Sequence, residues 1–238
     1  MREGVRLMNR KTVFTLAALL TLTACQQEWV YEAERNQRIM ATNPPRATYD
    51  VPPQVIYRID DHRFITLENY NHCAGDTWYN DTKQGVRTNI GLTWPAGFRG
   101  KLIIDDPTGM NVAIPKVSTN LCSDRGCMNY VAYSTDGGRS FNWLQYDRRK
   151  ISFDSVESSK LYIFSVTKDS MYVTTKWGQD GSAITDRYPF GPGYVYGKNA
   201  KLPEGVSIQF SAELPRGLRT PSGDDHYVCV TPPYKTLR

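Results

Sequence analysis

The chain is 238 residues long, 40% hydrophobic and 22% charged, with a mean hydropathy of −0.50 and a formal net charge of +5. Four basic residues and one acidic residue fall within the first 24, so the rest carries only about +2, from 25 basic against 23 acidic side chains. No long basic run remains in that body, which gives nucleic-acid binding no support, and the pI of 8.9 reflects the leader.

In the leader, Arg2, Arg6, Arg10 and Lys11 precede the apolar run VFTLAALLTL over Val13 to Leu22. Ten residues are too few for a membrane-spanning helix, which needs roughly 20, but they suit a secretory signal. The run ends in Leu22-Thr23-Ala24-Cys25, which resembles the lipobox of bacterial lipoproteins. That resemblance implies removal of residues 1–24 and lipid attachment at Cys25; the plainer alternative is an ordinary signal with a chance cysteine. MNRKTVFTLAALLTLTAC is a complete signal by itself, so Met8 is an alternative start. Gln26, rather than Asp, follows the cysteine, which in enterobacterial lipoproteins implies sorting to the outer membrane. A tri-acylated cysteine carries more than one chain, so anchoring is expected to be stable. Residues 25–54 read as the lipidated N-terminus and a tether: the stretch is polar, and Asn43-Pro44-Pro45 and Pro52-Pro53 interrupt regular structure. EWVYEAERNQRIM within it has the composition for a short helix.

A folded domain is expected over residues 55–238. The runs VIYRI and RFITLEN flank Asp60-Asp61-His62 and predict a hairpin. VRTNIGLTW, GKLIIDD, MNVAIPKV, MNYVAYS and SFNWLQY follow, and KLYIFSVT and MYVTTKW predict a second hairpin around Lys168-Asp169-Ser170. VSIQFSAE and HYVCVTP complete the set. These runs are short, rich in β-branched and aromatic residues, and separated by regular turn signals, a pattern of all-β folds made of antiparallel hairpins in a sandwich or propeller-like arrangement. Residues 177–205 hold six glycines, three prolines and four tyrosines or phenylalanines beyond Trp177, and read as a long loop. Tyr188, Phe190, Tyr194 and Tyr196 in it are candidates for a partner-facing surface, since aromatic residues are enriched at interfaces. The bland alternative is that they pack the loop onto a sheet.

After Cys25, four cysteines remain: Cys73, Cys122, Cys127 and Cys229. An even number in an exported chain favours two disulfides. Cys122 and Cys127 frame SDRG and suit a local staple, leaving Cys73 for Cys229, although four cysteines allow three connectivities. His72-Cys73 with His226-x-x-Cys229 is also a Cys2His2 zinc pattern, but in an oxidising compartment a disulfide is favoured. Acid pairs occur at Asp60-Asp61, Asp105-Asp106 and Asp224-Asp225, without the regular ligand spacing of a calcium loop. No common hydrolase, nucleotide or zinc signature is present, so the reading requires no cofactor and no metal, and the chain reads as a binding protein rather than an enzyme.

Ser134, Asp136, Gly138, Ser140 and Phe141 in STDGGRSF resemble the Asp-box, a hairpin motif of sialidases and other β-propeller proteins. Its parts are structural: the aspartate accepts backbone N–H groups, the glycines supply positive φ, and the serines tie the strand ends. A sialidase would also need repeated boxes, converging arginines and a Tyr/Glu nucleophile pair, whereas this chain has one clear box, with Arg139, Arg148 and Arg149 near it in sequence. The leader MNRKT…LTACQQEWVYEAERN and the hairpin STDGGRSFNWLQY together resemble the Tli-like group of immunity lipoproteins, which protect bacteria from type VI secretion phospholipase toxins. That resemblance implies an outer-membrane lipoprotein facing the periplasm of a Gram-negative cell, with a lipase toxin as partner. The aromatic loop and Arg139 are then the expected toxin-facing residues. The rival readings are a glycan-binding or sialidase-like envelope lipoprotein and a structural envelope lipoprotein without a dedicated ligand.

Overall fold

A computed structural model describes residues 48–117, 122–124, 126–147, 152–177, 181–192, 194–197 and 202–231. The signal segment, Cys25 and most of the tether lie outside the described residues. No helix among them is long and apolar enough to cross a membrane.

The fold is all-β and largely antiparallel. β1 (Gln54–Arg58), β2 (Arg63–Asn71), β3 (Ala74–Asp81) and β4 (Val86–Thr93) form a meander in that order. β6 (Val112–Lys116) and β10 (Asn142–Gln145) flank β9 (Tyr130–Ser134) in a second sheet. The third sheet runs β13 (Ala183–Pro189), β12 (Ser170–Lys176), β11 (Tyr162–Val166), β5 (Lys101–Ile104), and the β11–β5 pair is parallel. β7 (Cys122–Ser123) and β8 (Gly126–Cys127) are a two-residue ladder, and α1 (Ser155–Ser159) is a single turn of helix capped by the Asp154 carboxylate.

Both predicted hairpins are present, β1–β2 and β11–β12. Four segments differ from the sequence reading, and the first is β3, which no predicted run covers. β13 lies inside the stretch read as a loop and pairs with β12 along its whole length. VSIQFSAE is not a strand: it contributes the isolated bridge of Gln209 to Arg187, and Ser211 interrupts the extended course at φ 58°. HYVCVTP is likewise no strand, touching β1 through a hydrogen bond from Val228 N to the Ile56 carbonyl.

That last segment acts as a strap between two sheets. Leu102 N of β5 donates to the Asp225 carbonyl, Ser222 N donates to the Ile59 carbonyl, and Lys101 pairs with Asp225 at 2.9 Å. Beneath it, the buried Tyr57 hydroxyl donates to the Leu102 carbonyl at 2.8 Å and lies 2.7 Å from Thr220 Oγ1. Tyr227 of the strap meets Tyr57 and Phe98 edge to face, and Phe98 continues to Phe164 and Tyr146. An aromatic column thus joins strap, first sheet and third sheet.

Two disulfides close the fold, Cys73–Cys229 and Cys122–Cys127. Cys73 belongs to the two-residue turn of the β2–β3 hairpin, where His72 and Cys73 both take the left-handed region, at φ 47° and 63°. Such turns favour Asn-Gly, so this turn carries backbone strain that the bond to the strap helps to hold. The first bond spans 156 residues and the second 5. Chain-entropy reasoning therefore assigns about 5 kcal/mol to Cys73–Cys229 and about 2 kcal/mol to Cys122–Cys127. Thermal melts should show the larger loss for Cys73→Ser/Cys229→Ser than for Cys122→Ser/Cys127→Ser; equal losses would contradict this ranking.

Candidate functional site

The Asp-box hairpin links β9 to β10 and is built around one carboxylate. Asp136 Oδ1 accepts from Ser140 N at 3.0 Å and from the Ser134 hydroxyl at 2.8 Å, and Oδ2 accepts from the Ser140 hydroxyl at 2.6 Å. The buried Ser134 oxygen in turn accepts from Gly138 N at 2.9 Å. Gly138 has φ 78°, and a Cβ there would stand 2.1 Å from the Tyr79 ring, so both conformation and packing demand glycine. Phe141 meets Tyr79 edge to face at 6.0 Å, and Thr88 donates to the Gly138 carbonyl. The hairpin is thereby seated on the first sheet. Burial alone would raise the Asp136 pKa, but the Ser140 and Ser134 hydrogen bonds outweigh it and hold the carboxyl below its ordinary range. With its lone pairs committed to the turn, Asp136 is not placed to act as a catalytic acid.

This hairpin tip forms one wall of a polar pocket of about 390 Å³. The β1–β2 turn contributes Asp60 and His62, the β3–β4 turn Asp81 and Lys83, the loop before β6 Thr108 to Met110, and the hairpin Gly137 and Arg139. Arg63 is the hub of these turns. It is only 3% exposed, and its Nε donates to Asp60 Oδ2 at 2.7 Å while Nη2 donates to the Asp106 carbonyl at 3.1 Å. Asp60 Oδ1 accepts from the His62 and Arg63 backbone N–H groups. Burial pushes the Asp60 pKa up, but those bonds and the Arg63 charge prevail and hold it low. Asp81 Oδ1 accepts from Lys83 N and Gln84 N and lies 3.0 Å from His62 Nδ1. Asp106 accepts from Thr108 and from Asn111 N, shaping the third turn.

The aromatic loop divides. Tyr188 and Tyr196 are buried in the core, where their rings meet edge to face at 5.2 Å; Tyr196 N donates to the Tyr133 hydroxyl, and the Tyr196 hydroxyl donates to the Pro189 carbonyl. Phe190 stacks on Tyr133 at 5.9 Å, half-buried, and Tyr194 is half-buried against Gly191. Phe190, Tyr194, the exposed Val195 and the exposed Arg139 are what this set presents to solvent. The two cysteines of the zinc pattern are bonded to each other, so they offer no thiolates. Asp60, Asp61 and His62 bring three ligand atoms within 4.8 Å of one another, but Asp60 is already engaged by Arg63. Sequence reasoning missed Arg63, Lys83 and Asp106 as site residues. The acid–turn signatures at Asp60 and Asp106 were the available signal for two of the converging loops.

Residues 49–175 match the family described as T6SS Tli3 immunity protein, a span that holds the Asp-box hairpin and the turns around Arg63. No curated protein matches the chain.

Because Asp136 has a depressed pKa, its contribution to stability is full above the ordinary carboxylate range, near pH 4, and is lost as pH falls through the lower folded value. Asp136→Asn should cost about 2 kcal/mol at pH 7. The gap from wild type should close as pH falls through the lowered folded value in urea unfolding, a comparison in which the opposite contribution of Asp147, whose carboxyl burial pushes up, cancels. A pH-independent gap would show that the carboxylate is not the stabilising species.

Proposed function

Because the chain belongs to the Tli3 family of type VI secretion immunity proteins, we propose that it binds a phospholipase effector and masks its active site before phospholipid is reached. The family match over residues 49–175 carries this reading. Cys25 serves as the lipid anchor, holding the β domain on the periplasmic side of the outer membrane, with residues 25–54 as the tether. Two disulfides support an oxidising compartment. The Asp-box gives the sialidase-like alternative no acid, since Asp136 is spent on its own turn. On the partner side, Arg139, Tyr194 and the outward edge of Phe190 are the contact residues, while Tyr188 and Tyr196 hold the loop in place.

Co-expression with the lipase-fold product of a neighbouring gene should yield a complex that survives gel filtration, and the purified chain should suppress hydrolysis of phospholipid vesicles. Hydrolysis undiminished at molar excess would overturn the proposal. Cys25→Ser should move the protein from the membrane fraction to the soluble periplasm. Tyr194→Ala should weaken effector binding about tenfold, the loss of one anchoring side chain, with little change in the melt; Tyr196→Ala should lower the melt itself.

A further inference from the structure

The polar pocket contains an imbalance that the fold does not use. Its two lining carboxylates, Asp60 and Asp81, are turned onto their own loops, accepting from backbone N–H groups and from Arg63 or His62. Its cations retain donors. Arg63 Nη1 is fully buried and has no hydrogen-bond partner among the described residues. It lies beside Gly109, where a Cβ would stand 3.4 Å away, and Gly109 itself lines the pocket. Among the described residues, the exposed Lys83 ammonium has no acidic partner, and Arg139 donates through Nη1 alone, to the Asp136 carbonyl. Leaving a buried guanidinium donor unmatched is costly, and a charged donor seeks a charged acceptor.

We infer that this pocket is a receptor for a single carboxylate, an aspartate or glutamate side chain of the bound effector, gripped at the rim by Lys83 and Arg139 over the fixed charge of Arg63. The inference rests on the immunity reading for the source of that side chain. The lining also carries the carboxylates of Asp60 and Asp81, which offset part of that positive charge, so the site matches the single charge of a carboxylate better than the greater charge of a phosphate. The buried guanidinium is held by Asp60 and the Asp106 carbonyl, so the site is preorganised and its field is weakly screened by salt.

Two arms test it. With the effector, Lys83→Glu and Arg139→Glu should each weaken binding at least tenfold, and Met110→Trp, which crowds the mouth without changing charge, should do so too. Lys160→Glu on α1 serves as the control for a surface charge elsewhere. A complex that forms normally with all three variants refutes the carboxylate receptor but leaves the immunity reading intact. Without the effector, millimolar glutarate at constant ionic strength should give a saturable rise in the melt of the wild type, absent in the Lys83→Glu/Arg139→Glu double variant. No saturable rise overturns the inference whether or not an effector binds. Binding to phosphatidylglycerol vesicles that these variants abolish, without a glutarate effect, would assign the pocket to lipid phosphate and likewise overturn it.

Discussion

The arrangement of the sheets depends on how the strap over residues 219–230 is tied across β1 and β5. Neither edge strand is long, and each would otherwise present unpaired backbone groups. The strap meets both: it accepts from Leu102 N on β5, and it donates to the Ile56 carbonyl on β1. The Tyr57 hydroxyl crosses underneath, joining Leu102 and Thr220 in a buried setting. Hydrogen bonds of this kind gain strength from exclusion of water and would be expensive to leave half made. The Cys73–Cys229 bond then fixes the strap to the far end of the meander.

The opposite economy governs the pocket. There the chain does not close edges; it gathers turns. Arg63 reaches from the start of β2 to the Asp106 carbonyl, so two loops that are 43 residues apart are held by one planar group. The Asp-box hairpin joins this cluster through Tyr79, whose ring receives Gly138 and Phe141. Burial, foremost, raises the Tyr79 pKa and keeps the phenol neutral beside the Arg63 guanidinium. A hairpin motif read as a corner of the fold is therefore also a wall of the site.

Much of the sheet structure is legible in the sequence because its strands obey simple chemistry. VIYRI, KLIID, VAIPK and YIFSV are dense in β-branched and aromatic residues, with turn formers between them. β3 and β13 escape that reading because AGDTWYND and AITDRYP carry Gly, Asp or Pro, residues that propensity assigns to turns. Their strand character comes from neighbours: β3 is held on both sides by β2 and β4, and β13 pairs with β12 through seven register positions. VSIQFSAE errs in the other direction, having the propensity of a strand but no full-length partner. At the site, the Asp-box was legible because its function is local to eight residues. Arg63 was not, since its burial is set by the Asp106 loop, and no local pattern distinguishes a buried arginine from an exposed one. Nor could aromatic content divide Tyr188 and Tyr196, which face the core, from Tyr194.

The strap also sets an order of events. Lys101 and Asp225 are 124 residues apart, so the edge of β5 away from β11 is covered by a segment that comes late in the chain. Until that segment docks, β1 and β5 are open templates on which another chain can add a strand. Pinning the strap also needs an oxidant, because a disulfide ties it to a turn that is strained on its own. Without that bond the strap keeps its hydrogen bonds to β1 and β5 but loses its pin to the β2–β3 turn. The redox state of the surroundings thus decides whether that pin forms.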